Sequence, residues 1–133
     1  MCQFIAFWHN PINGDVAIYD VCSHSKTQEK LGLNEKVWRE GHYLPSGEYE
    51  LRVLDSDRVD MVEYRESFVN RFPSWKDLLE MAMSYGCVCS EDIDVRGCDL
   101  KGVKLPESIG GSLDVSGCDL KGVKLPKHVN IYR

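Results

Sequence analysis

The 133-residue sequence predicts an α+β fold: a small antiparallel β-domain with short helices over residues 1–72, then a helix-capped two-coil β-solenoid over 73–133. Three observations predict it. Aromatic and β-branched runs separated by turn residues fill the first half. An amphipathic segment begins near Ser74. A thirteen-residue motif then recurs after twenty residues.

The first half reads as two hairpins. Gln3 to Trp8 and Val16 to Val21 flank Asn10-Pro11-Ile12-Asn13-Gly14, which is rich in turn formers. Ser25 to Leu31 reads as a short helix, with Ser25 as its cap, Gln28 three residues on and Gly32 at its end. Pro45-Ser46-Gly47 is a turn. Tyr49 to Leu54 and Val59 to Tyr64 read as a second hairpin around Asp55-Ser56-Asp57, because Tyr49, Leu51 and Val53 alternate with polar neighbours. From Phe72 the pattern becomes helical. Ser74 suits an N-cap with Asp77 three residues later, Trp75, Leu78, Leu79 and Ala82 share a face, and Gly86 stops the helix. Such a helix suits the open end of a coil.

The repeat is the strongest signal. Asp94 to Pro106 and Asp114 to Pro126 differ only at Arg96 against Ser116. Twenty divides into four fives, and apolar or small residues occupy two of every five places. That framing points Ile93, Val95, Cys98, Leu100, Val103 and Leu105 inward, with Leu113, Val115, Cys118, Leu120, Val123 and Leu125 above them. Stacked coils lie ~4.8 Å apart, so Lys101 falls over Lys121 and Lys104 over Lys124. Asp99 and Asp119 offset that repulsion, and the lysines form a mixed soluble surface or a small basic edge for an acidic partner. Gly110-Gly111 reads as a coil corner where glycine permits positive φ. No phosphate-loop motif surrounds it.

This pattern resembles pentapeptide-repeat proteins, which wind a four-sided right-handed β-helix with one pentapeptide per side. Ser108 to Val115 is also similar to the leucine-rich-like tails of small phage and prophage proteins. Both likenesses cover about forty residues, and residues 1–90 carry none. Some pentapeptide-repeat proteins mimic DNA and inhibit topoisomerases, but two coils are too few for a DNA-like rod, and that activity is not expected here.

A net charge of −5 argues against nucleic-acid binding, and no apolar run approaches the roughly 20 residues that span a bilayer. The first residues show no signal-peptide pattern, which sets the expectation of a cytoplasmic protein with free thiols. Cys87 and Cys89 are spaced CxC with no partner pair, so no metal and no cofactor are expected. Cys22-Ser23-His24, with His42, is the one constellation that suggests an enzyme or toxin, and it lacks a nucleophile elbow or oxyanion turn.

The leading expectation is a non-catalytic protein-binding module. The phage-tail resemblance implies a phage or mobile-element accessory protein that inhibits a host protein, an anti-CRISPR or other anti-defence protein being one form. A structural or oligomerisation module, with a homodimer, is the third reading. Binding is expected from an exposed aromatic and acidic surface comprising Trp38, Arg39, Tyr43, Glu48, Glu50, Asp55 and Asp57. The partner is a host or phage protein with a basic surface.

Overall fold

The structure, a computed structural model, describes residues 5–43 and 48–133. Cys2, Gln3 and the turn at 45–47 fall outside the described residues. The order is β1 (Ala6–His9), β2 (Val16–Ala17), α1 (His24–Leu31), β3 (Arg39–Tyr43), β4 (Tyr49–Leu51), α2 (Met61–Arg71), α3 (Trp75–Ser84), β5 (Ile93–Asp94), β6 (Leu113–Asp114) and β7 (Ile131–Tyr132). An antiparallel sheet runs β2-β1-β3-β4, and a second, parallel sheet runs β5-β6-β7.

The first hairpin forms as the turn chemistry predicts, with Asn10 accepting backbone bonds from Ile12 and Gly14. Period-2 alternation then assigns the sheet faces. Phe7 and His9 point to α2, where Phe7 stacks on Phe68 at 5.4 Å and His9 on Tyr64 at 5.5 Å. Trp8 points the other way, and its Nε1 donates to the carbonyl of His24 on α1. Helix α1 starts one residue earlier than expected. Ser23, not Ser25, is the cap, and its hydroxyl accepts from Lys26 N–H. Gly32 ends the helix in the left-handed region at φ 64°, as expected.

The second hairpin does not exist. β4 pairs with β3 instead, Asp55–Asp57 is a 3₁₀ turn, and Met61–Arg71 is a helix. Val59, Val62 and Tyr64 look strand-like, but Asp60 caps the helix by accepting from Glu63 N–H. Tyr64, Phe68 and Phe72 then follow a helical spacing that lays aromatic rings on the sheet. Val62, 68% exposed, contributes nothing to that face.

Helix α3 matches its expectation. Ser74 and Asp77 form a reciprocal capping box, and Trp75, Leu78, Leu79 and Ala82 are buried. The helix lies beside the first coil, where Lys76 pairs with Asp99 at 3.3 Å. Buried side chains run in one continuous core from the sheet, through α3, into the coil. The backbone is continuous in the same sense. Val21 N–H donates to Val88, Val88 N–H to Tyr19, Cys89 N–H to Ser108 and Gly110 N–H to Cys89. The coil therefore grows from the segment that follows β2.

Within the coil the twenty-residue register holds on two adjoining sides, one of them marked by the parallel bridge of Cys89 with Ile109. Ile93 pairs with Leu113 and Asp94 with Asp114, in parallel. The next rung is shorter, since Leu113 pairs with Ile131, eighteen residues on. Corners recur every five residues. Cys98 N–H donates to Val95, Val103 to Leu100, Cys118 to Val115 and Val123 to Leu120. The third residue of each corner is a glycine with φ of 71° to 75°, which a β-carbon would oppose. The aspartates of the motif are turn makers. Asp94, Asp99, Asp114 and Asp119 each accept the backbone N–H two residues on. Among the described residues no strand pairing joins 98–107 to 118–127, so the parallel pairing does not go round the coil and a closed solenoid is not seen.

Burial follows the framing in the first coil and loosens in the second. Ile93, Val95, Leu100, Leu105, Leu113 and Val115 are buried; Cys98, Val103, Cys118, Leu120, Val123 and Leu125 are only partly so. Gly110 and Gly111 have no positive φ, contrary to expectation. They are needed for close approach. A β-carbon on Gly110 would sit 2.3 Å from the Ser90 carbonyl oxygen, and one on Gly111 1.9 Å from Asp92 Oδ1.

Candidate functional site

The surface around Trp38 is built by a chain of local necessities. After α1, Asn34 folds the loop back: its side chain accepts from Lys36 N–H and its carbonyl from Val37 and Trp38 N–H. β3 then begins at Arg39, whose side chain turns inward. Its Nε and Nη2 bind both oxygens of Asp57 at 3.1 and 2.8 Å, and Nη1 donates to the Glu35 carbonyl at 2.5 Å. Asp57 also accepts from Leu54 N–H at 2.9 Å, which closes the 3₁₀ turn. Burial opposes the charge on Asp57, but the Leu54 N–H and the Arg39 guanidinium outweigh it and hold the carboxyl below its ordinary range. One fully paired, bidentate ion pair thus clamps the 34–39 loop to the 54–58 turn.

The clamp places Leu54 beside Trp38. Together with Trp8, Glu35, Arg39, Glu40 and Arg52 they line a shallow groove of about 230 Å³. Val37 and Leu54 are 41% and 44% exposed. The result is a mixed groove, with Trp38 and Leu54 set among Glu35, Glu40 and Arg52.

Of the residues expected to make contacts, the structure separates positioners from exposed groups. Arg39 and Asp57 are buried in the clamp. Tyr43 is 1% exposed, packs against Phe7 and Tyr49, and donates its hydroxyl to the Phe72 carbonyl at 2.6 Å. These three are corrected from surface to interior: β3 alternates, so residues 39, 41 and 43 face inward, and Asp57 is drawn in by its bonds to Arg39 and to Leu54 N–H. Trp38 is half-buried; Glu48, Glu50 and Asp55 are exposed. Glu50 adjoins a second trough of about 590 Å³ with Glu40, His42, Leu51, Arg52 and Arg65, where His42 Nε2 lies 3.4 Å from Glu50 Oε2. Partial burial lowers the His42 pKa, and Glu50 acts the other way.

The cysteine-histidine constellation is arranged differently from a catalytic pair. Cys22 Sγ is bonded to Cys89 Sγ, and His24 Nε2 is held by the Gly41 carbonyl at 2.8 Å. The disulfide departs from the expectation of free thiols throughout. The pairing of 19–21 with 88 brings the two sulfurs together although 67 residues separate them. Asp20 joins the group, and its Oδ1 accepts from Cys22 and Ser90 N–H. Asp20, Cys22 and Cys89 have ligand-type atoms within 4.8 Å of one another, but two sulfurs bonded to each other offer no thiolate. Cys87 and Cys118 form no disulfide, and burial pushes the Cys87 thiol up to about 11.

His9 was not anticipated. It is completely buried, its Nδ1 is 2.6 Å from the Tyr64 hydroxyl, and its Nε2 has no hydrogen-bond partner. Burial lowers its pKa to about 4 despite the nearby carbonyls of Glu40 and Arg52. The signal available was its place in an alternating strand, two residues from Phe7.

No described helix is long and apolar enough to cross a membrane. No family model matches the chain, and neither a curated protein nor a solved structure is similar to it.

Proposed function

We propose that this chain is a non-catalytic protein-binding module whose contact surface is the Trp38–Leu54 groove and the carboxylates beside it. The observation that carries this reading is the clamp itself. A buried bidentate ion pair holds Trp38 and Leu54 at a solvent-facing groove, and a part-exposed tryptophan in a charged surround has the composition of an interface hot spot. Glu48, Glu50 and Asp55 make a partner with a basic surface the best match, and such an encounter weakens with salt. The likeness of the repeat to short phage-protein tails supports an accessory protein of a phage or mobile element that inhibits a host protein, anti-defence activity among the options. This origin rests on that likeness alone.

The test is capture from a bacterial lysate with the wild-type chain and with Trp38→Ala/Leu54→Ala. A specific partner should be retained by the first and lost by the second at unchanged melting temperature. His24→Ala should leave capture intact. A partner held equally by the groove variant, or an activity abolished by Cys22→Ala or His24→Ala in a folded protein, would replace this reading with the enzyme or toxin alternative.

A further inference from the structure

The last coil carries a second surface of opposite character. The whole chain has a net charge of −5, yet residues 98–133 hold six lysine and arginine side chains against four carboxylates. Three of those lysines border one groove of about 380 Å³, with Lys104, Lys124 and Lys127 at its rim, Leu105, Leu125 and Pro126 beneath, and Glu107 and His128 completing the lining. Three features mark it as more than a solvated face.

The rim cations have no partners. Lys76 pairs with Asp99, and Arg96 with Asp94 and Asp114, whereas Lys104, Lys124 and Lys127 make no ion pair among the described residues. The groove is also cationic on balance, since Glu107 is the one carboxylate in its lining. The repeat also changes here. Glu107 follows Pro106 in the first copy, but Lys127 follows Pro126 in the second, and His128, at the groove, adopts φ 60° where its counterpart Ser108 does not. That left-handed residue belongs to the side shortened from twenty residues to eighteen.

We infer that this groove binds an acidic peptide segment carrying one apolar side chain, the side chain on Leu105, Leu125 and Pro126 and the flanking carboxylates on Lys104, Lys124 and Lys127. The volume suits one large aliphatic or aromatic group. An apolar floor favours a peptide over a nucleic-acid backbone, which offers phosphates but no aliphatic anchor. Lysine ammoniums act as point charges and accept carboxylates in many orientations. This surface shares no residue with the Trp38 groove, and either can fail without the other.

The probe is a fluorescein-labelled heptapeptide of three glutamates, one leucine and three glutamates, followed by fluorescence anisotropy and by amide chemical shifts. The expected result is saturable binding, with shifts concentrated at Lys104, Leu105 and Lys124 to His128. Lys124→Glu/Lys127→Glu should weaken it at least about tenfold, and the milder Lys124→Gln about threefold should the double variant fold poorly. Lys121→Glu, outside the groove, should change it less than about twofold. An all-glutamate peptide should bind several-fold more weakly. Absence of saturation overturns the inference. So does equal affinity for the all-glutamate peptide, an equal effect of Lys121→Glu, or tighter binding of an oligothymidylate or an anionic phosphatidylglycerol vesicle.

Discussion

Leu100 and Leu120 stand at the same place in two nearly identical segments, yet Leu100 is 1% exposed and Leu120 is only partly buried. Substitution by alanine removes the same atoms from both. At Leu100 the loss combines the transfer term with an enclosed cavity, so about 3 kcal/mol is expected within the 2–5 range of buried leucines. At Leu120 solvent already reaches the side chain and no sealed cavity forms, so about 1 kcal/mol is expected. For a chain of this size each kcal/mol moves the midpoint roughly 4 °C, which separates the two variants by about 8 °C. Thermal unfolding by circular dichroism, with urea midpoints as a second measure, reads the difference directly. The sequence alone assigns both leucines the same cost. Equal midpoints would show that the second coil is as closed as the first, and the argument from its open end would fall with them.

Three further perturbations test the interior. Reducing the Cys22–Cys89 bond should cost about 4 kcal/mol by loop-closure entropy across 67 residues, seen as a lower calorimetric midpoint in a phosphine reductant; an unchanged midpoint refutes the bond. His9 is neutral when folded down to about pH 4 but protonates from pH 6.5 when unfolded. Stability should therefore fall by up to ~3 kcal/mol as pH drops from 6.5 to 4 and stay flat above it, and His9→Gln should flatten the acid limb of a urea-midpoint profile. Asp57→Asn should cost about 3–5 kcal/mol because it leaves Arg39 buried and unpaired, while Asp57→Asn/Arg39→Met should recover part of that loss. Since the folded Asp57 carboxyl lies below its usual range, its contribution is present near neutrality and is lost as pH falls through that lowered value.

Legibility tracked how local the cause was. The α3 capping box, the Gly32 stop and the first hairpin are written in residues close in sequence, and each formed. The repeat framing identified the inward positions because their spacing is periodic. Helix α2 was misread because Val59, Val62 and Tyr64 carry β character, whereas the deciding contacts of Phe68 and Phe72 lie on a distant sheet. Arg39, Tyr43 and Asp57 were placed at the surface because charge and an irregular neighbourhood suggested it. Arg39 and Asp57 are eighteen residues apart, and no short-range pattern announces that they meet. The Cys22–Cys89 contact is the extreme case, since only the pairing of Asp20 with Val88 brings the sulfurs together.

The twenty-residue unit also makes height adjustable. Each rung rests on the next through parallel backbone bonds, Val95 N–H to Asp114 and Gly97 N–H to Ser116 among them, and the glycine pair at 110–111 lets the rungs approach. The shortened final side is the stop. A duplicated unit inserted ahead of that stop would leave both ends of the coil unaltered and lift the lysine groove ~4.8 Å further from the sheet. The chain then behaves as a ruler, and copies differing by one unit would set the antiparallel sheet and the last rung at different separations.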